Sequence, residues 1–113
     1  PAALSRYAQL ITYWQQTGAW TQLWITIRSL IEALQQRGQP EPATVLFGAL
    51  TASPNASPLA GADATRLARA ADDLAARLGP AEFAALLAEG KAMGDDSALS
   101  YALQVLSAAN VPG

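Results

Sequence analysis

Catalysis needs a few reactive side chains at spacings that let them meet, and this sequence offers few. The 113 residues include no histidine and no cysteine. That removes imidazole bases, thiolates, disulfides and the usual ligands of a transition metal. The nearest approach to a catalytic pair is Asp72-Asp73 and Asp95-Asp96. Successive residues on a helix point about 100° apart, so neither pair converges as an acid–base couple must. The ligand spacing of a calcium loop is missing as well. Helix capping and a solvated face account for both pairs. Asn55-Ala56-Ser57 fits a glycosylation sequon; with no secretory layout in the sequence it reads as a chance match. No catalytic residue, cofactor site or metal site is expected, and this segment is not expected to be an enzyme.

The remaining chemical signal is aromatic. Tyr13, Trp14, Trp20 and Trp24 fall within two helical segments. They suit a docking surface for a peptide or effector, since tryptophan and tyrosine dominate interaction hot spots. They equally suit the packing of the first two helices on each other or on a neighbouring repeat, the commoner role of aromatic stripes at helical spacing.

These residues are carried by a chain patterned for helices throughout. It is 51% hydrophobic and 14% charged, with a net charge of −2, and much of the apolar share is alanine, which favours helices and their close approach. Leu4, Tyr7, Ile11 and Trp14 mark the first buried stripe, and Gly18 breaks it. A second helix over 19–36 carries Leu23, Ile27, Leu30 and Leu34 on one face, with Trp20, Trp24 and Ile31 beside them. Gly38 and Pro40 punctuate it. A third follows on Ala43, Leu46, Phe47 and Leu50, and the segment 51–58 reads as a loop. The fourth spans about 63–78, with Asp63 as expected N-cap, Leu67, Ala71, Leu74 and Leu78 inward, and i,i+4 pairs Arg69–Asp73 and Asp73–Arg77 outward. After Gly79-Pro80, the fifth turns Phe83, Leu86, Leu87 and Met93 inward, and Gly90 marks a close helix passage. Asp95 or Asp96 caps a sixth helix built on Leu99, Ala102, Leu103 and Leu106. The predicted fold is all-α, about six helices in stacked antiparallel hairpins, as one module over 1–113.

Seven basic residues are scattered rather than clustered, so no direct nucleic-acid contact is expected. No apolar run is long enough for a membrane span, and the expected location is the cytoplasm. The sequence opens on Pro1 rather than methionine, so it is expected to be a fragment of a larger protein.

Ile27, Leu30, Leu34, Gly38, Ala43 and Phe47 resemble a tetratricopeptide unit, in which a small residue lets two helices approach and an aromatic fills the groove between them. No clean 34-residue period repeats it. Farther along, Ala43, Leu46 and Gly48-Ala49 precede a proline-containing loop, Leu78-Gly79 and Phe83. Then come Ala88, Gly90, Lys91, Met93, Ala98, Leu99, Ala102 and Leu103. This order resembles the C-terminal helical tract of large actinobacterial-type transcriptional regulators. These are LuxR-type proteins with an ATPase module and tetratricopeptide-like repeats, some with an adenylate cyclase domain. Leu87, Lys91 and Met93 stand where that family usually has Trp, Arg and Leu. The resemblance implies a non-catalytic region that couples a sensing input to ATPase and DNA-binding output. Its partners would be other domains of the parent protein, or a protein or peptide, with self-association possible. The phosphate-loop motif and recognition helix of such regulators are not in these residues. The alternative is a stand-alone helical module that binds a peptide or ligand.

Overall fold

The computed structural model describes residues 2–54, 56 and 61–110, with side chains over 6–54, 56 and 61–107. Six helices account for nearly all of it: α1 (Ala2–Thr17), α2 (Trp20–Gln36), α3 (Pro40–Ala52), α4 (Gly61–Leu78), α5 (Pro80–Lys91) and α6 (Asp95–Asn110). No strand occurs among the described residues, and the fold is all-α as the periodicity predicts.

The first two turns share one local solution. Gly18 and Gly38 adopt left-handed φ values of 71° and 75°, a conformation that costs a residue with a Cβ roughly 1–2 kcal/mol. Each lets the chain fold back onto the last helical carbonyls. Ala19 N–H donates to Trp14 O at 3.0 Å and Gln39 N–H to Leu34 O at 2.9 Å, while the glycine amides reach Gln15 O and Gln35 O. This is the paired bonding of a Schellman end, and it joins α1–α2 and α2–α3 by minimal connections.

Helix α3 holds the centre. Ala43, Thr44, Val45, Leu46, Gly48, Ala49 and Leu50 are all buried, and the helix touches α2, α4, α5 and α6. The expected single stripe was therefore too narrow. Phe47, expected inward, is only half-buried, whereas Val45 and Thr44 are fully enclosed. The sequence reason is that this helix is apolar nearly all round, the pattern of an element covered on every side. Its one buried hydroxyl is satisfied locally, Thr44 Oγ1 donating to Pro40 O at 2.8 Å.

The most extensive interhelical contact is between α3 and α5, and two glycines set it. A Cβ on Gly90 would fall on the Val45 carbonyl oxygen and 2.9 Å from the Ala49 nitrogen. One on Gly48 would fall on the Leu87 carbonyl oxygen and 3.1 Å from the Lys91 nitrogen. The backbones meet where side chains would normally stand between them. Phe83, Leu86, Leu87 and Met93, expected inward, are enclosed only in part, with Phe83 and Met93 packing against the core. Gly90 is the fully buried residue of α5. With glycine at the crossing, α5 lies against α3 by its backbone, and its larger side chains flank the contact.

Helix α1 packs on α2 and also on α6, so the first and last helices meet and the set closes around α3. The radius of gyration of 13.2 Å matches the roughly 13 Å of a compact chain of this length. Ion pairs tie α4 to α2 from outside: Arg66–Glu32 at 3.2 Å and Arg28–Asp63 at 3.8 Å.

Several boundary expectations shift. Helix α4 begins at Gly61, so Asp63 lies in its first turn rather than at the N-cap, where its carboxylate reaches Arg28. Asp95 and Asp96 lie in the first turn of α6, and the Gly94 carbonyl accepts from Ala98 N–H at 2.9 Å. Asp73 pairs with Arg77 at 2.8 Å and accepts from Gln35 Nε2 at 2.7 Å; the expected Arg69–Asp73 pair does not form. The acid-first order suits i,i+4 geometry better, and α2 supplies the second partner. Helix α3 extends through Thr51 and Ala52, expected as loop. The side chain of Leu4, and Asn55 with Ser57 of the sequon, lie outside the described residues.

The glycine crossing makes a direct prediction. Gly90→Ala should destabilise by about 1–3 kcal/mol, the usual cost of forcing atoms into a packed contact. That corresponds to a melting point lower by roughly 4–8 °C per kcal/mol. Gly94→Ser, where an added Cβ meets nothing within 4 Å and serine suits a helix N-cap as well as glycine does, should stay within about 0.5 kcal/mol. Thermal unfolding followed by circular dichroism separates the two.

Candidate functional site

An open groove of about 330 Å³ runs between α1 and α2, lined by Arg6, Tyr7 and Leu10 from the first and Ile25, Thr26 and Ser29 from the second. Its origin is two stripes on each helix. On α1, Tyr7, Ile11 and Trp14 follow i, i+4, i+7 and turn inward, while Arg6, Leu10 and Tyr13 follow the same rhythm one step round and face out. On α2, Leu23, Ile27 and Leu30 are fully buried, while Ile25 stays exposed.

Large apolar exposure concentrates here. Leu10, Tyr13 and Ile25, at 36%, 54% and 42% exposure, are the exposed large hydrophobics among the described residues. All three belong to α1 or α2.

Hydrogen bonds fix the groove's floor. Trp14 Nε1 donates to Thr26 Oγ1 at 3.1 Å, and the Thr26 hydroxyl donates to Gln22 O at 3.0 Å. Thr26 is therefore satisfied in both directions, although only 9% exposed. The Tyr13 and Trp14 rings meet edge to face with centroids 4.9 Å apart, an arrangement the ring quadrupoles favour.

The four aromatics expected as a possible interaction surface thus take different places. Tyr13 is exposed on α1, one turn beyond Leu10 and outside the groove's lining. Trp14 and Trp20 are half-buried and pack against the core. Trp24 is 1% exposed and belongs to the core, so it offers no surface for docking. Its indole N–H is buried with no hydrogen-bond acceptor, which costs about 1–3 kcal/mol against a satisfied donor. Apolar contact with the surrounding leucines and isoleucines outweighs that cost, because a buried indole brings one of the largest apolar surfaces of any side chain. Sequence reasoning missed Leu10 and Ile25. Both sit one helical step off a buried stripe, and an apolar residue there is the available signal.

The acidic residues do not assemble. Asp72 is exposed and Asp73 is occupied by Arg77 and Gln35. Asp95 accepts from Ser53 Oγ at 2.7 Å, tying the end of α3 to the start of α6. Asp96 lines a shallow depression with Met93, Ser97, Ser100, Tyr101 and Gln104. Among the described residues no group of three or more carboxylate, imidazole or thiol side chains could hold a metal ion. No helix among them is long and apolar enough to cross a membrane.

Burial pushes the Tyr101 phenol above its ordinary value of 10.0, and the carboxylates of Glu89 and Glu41 push it in the same direction.

No family model matches the chain, and neither a curated protein nor a solved structure matches it.

Two predictions come from this geometry. Trp24→Ala should cost about 3–5 kcal/mol, as for other large-to-small core truncations. Ile25→Ala, one residue away but outward-facing, should stay within about 0.5 kcal/mol; chemical denaturation of both variants checks the division. At high pH the unfolded chain ionises Tyr101 more readily than the folded one. The stability held below pH 10 is therefore lost as the pH rises through the raised folded value. Tyr101→Phe should remove this part of the alkaline destabilisation, and stability measured across pH 9–12 tests it, ~10 being the ordinary tyrosine value.

Proposed function

We propose that this protein is a non-catalytic helical interaction and coupling module, with the α1–α2 groove as its docking face. The observation that carries this reading is the placement of exposed Leu10 and Ile25 on opposite walls of one groove, with exposed Tyr13 one turn beyond Leu10 on α1. Exposed apolar side chains scattered singly need no explanation, but a clustered set around a concavity marks a contact surface. The Trp14–Thr26 hydrogen bond holds the two helices in register beneath it. A rigid floor lowers the ordering cost that a partner meets on binding.

The larger context follows from the resemblance of the Ala43–Leu103 tract to LuxR-type regulators. In that setting the module belongs to a multidomain signalling ATPase or transcriptional regulator, and works in the cytoplasm beside the other domains of that protein. It would act by population shift, a partner on the groove favouring one arrangement of neighbouring domains over another. The tetratricopeptide likeness rests on α2 and α3, where Ile27, Leu30, Leu34 and Ala43 are fully buried.

A second reading has its own support. The contact of α1 with α6 closes the helices around α3, whereas the units of an extended array touch only their neighbours. Closure favours a self-contained helical module that binds a peptide or ligand.

A photo-crosslinking amino acid in place of Tyr13, in the protein expressed in its own cells, tests docking directly. An adduct to another domain of the same polypeptide supports the coupling reading, and an adduct to a separate protein supports the binding module. A clean absence of adducts, with the same probe active at an engineered contact, overturns both. Coding sequence on either side of the segment then tests the regulator context through an upstream phosphate-loop motif and a downstream helix-turn-helix.

A further inference from the structure

The α1–α2 groove carries charge of one sign. The first acidic residue of the chain is Glu32, although acidic residues outnumber basic ones by 9 to 7 overall. Arg6 and Arg28 are the charged residues before it, and the helix that forms one wall of the groove contains no carboxylate at all. Arg6 lines the groove, is exposed, and takes part in no ion pair among the described residues. Arg28 and Arg66 differ, being engaged by Asp63 and Glu32. The groove's own hydroxyls, Thr26 and Ser29, sit on the α2 wall.

From this placement, and resting on the reading of the groove as a docking face, we propose that its occupant is an amphipathic helix of a protein partner that presents apolar residues at i, i+4 and i+7 flanked by acidic side chains. The apolar residues cover Leu10 and Ile25 in the groove and continue along α1 toward Tyr13, and the carboxylate meets the Arg6 guanidinium. Helix-in-groove recognition uses this spacing of anchors. A guanidinium at the rim selects a carboxylate geometrically, through its planar fork of donors. A second copy of this chain fits less well. Copies meeting through this face would bring two Arg6 guanidinium groups to the interface, and neither α1 nor the groove lining could supply a carboxylate to meet them. Like charges across an interface act against association.

The test is selection of a displayed library of helical peptides, unbiased in charge, against the whole chain. Recovered binders are expected to be enriched in Asp and Glu beside an i, i+4, i+7 apolar stripe. Their binding should weaken about tenfold or more in Ile25→Lys. In Arg6→Glu the preference should pass to peptides with Lys in place of the acids, with circular dichroism confirming that both variants remain folded. Binders of neutral or basic composition that still require Ile25 would keep the docking face and overturn the acidic partner. Binders indifferent to Ile25→Lys, or none from a library that yields helices against a control groove, would overturn the groove itself. A dimer in sedimentation that Ile25→Lys turns into monomer would overturn the proposal in favour of self-association.

Discussion

Helices α3 and α5 meet at Gly48 and Gly90, each set against a backbone carbonyl of the other helix where a Cβ would collide. The rest of the bundle depends on this crossing. Glycine inside a helix costs about 0.5–1 kcal/mol relative to alanine through lost backbone freedom, and the chain carries that cost twice. In return two backbones approach without intervening side chains, and flanking residues interdigitate on either side. The close approach also places α5 tightly enough on α3 that α4 can touch both. A Cβ at either glycine would push the helices apart along their whole contact.

The consequence for α3 is enclosure. With α5 against one side, α2 and α4 beside it and α6 behind, it retains almost no solvated face, and its composition complies. Glu41 is its one charged residue and lies in the exposed first turn. Charge is thereby displaced to the periphery, where Glu32–Arg66 and Asp63–Arg28 join α2 to α4. These pairs are solvent-accessible and contribute little to stability, commonly below about 1 kcal/mol each. They orient helices that the apolar core already holds.

Helix α1 is bound differently. It has no glycine crossing, and it meets α2 and α6 through Ile11 and the half-buried Tyr7 and Trp14. Its outer stripe remains apolar at Leu10 and Tyr13. An element with one stripe buried and the next both apolar and exposed has surface left for another contact. For this reason the proposed docking face lies at this edge of the bundle.

Much of the fold was legible in the residues themselves. Six helices, their order and the glycines that end α1 and α2 follow from local physics: a 3.6-residue apolar rhythm and the left-handed backbone that glycine alone adopts cheaply. Gly90 was legible as a close passage, but its reciprocal partner, Gly48, was not, because the two lie on separate helices. The aromatic cluster shows the same limit. Periodicity places Trp14, Trp20 and Trp24 near the α1–α2 boundary, yet it does not distinguish Trp24, enclosed by the core, from Tyr13, left in solvent. A single helix has inward and outward directions only relative to what packs against it. Sequence alone therefore determined the helices, the glycine ends of α1 and α2 and the scarcity of reactive side chains. The tertiary structure decided that α3 is central, that α1 closes on α6, and that Leu10 and Ile25 face a groove, because each depends on which helices meet.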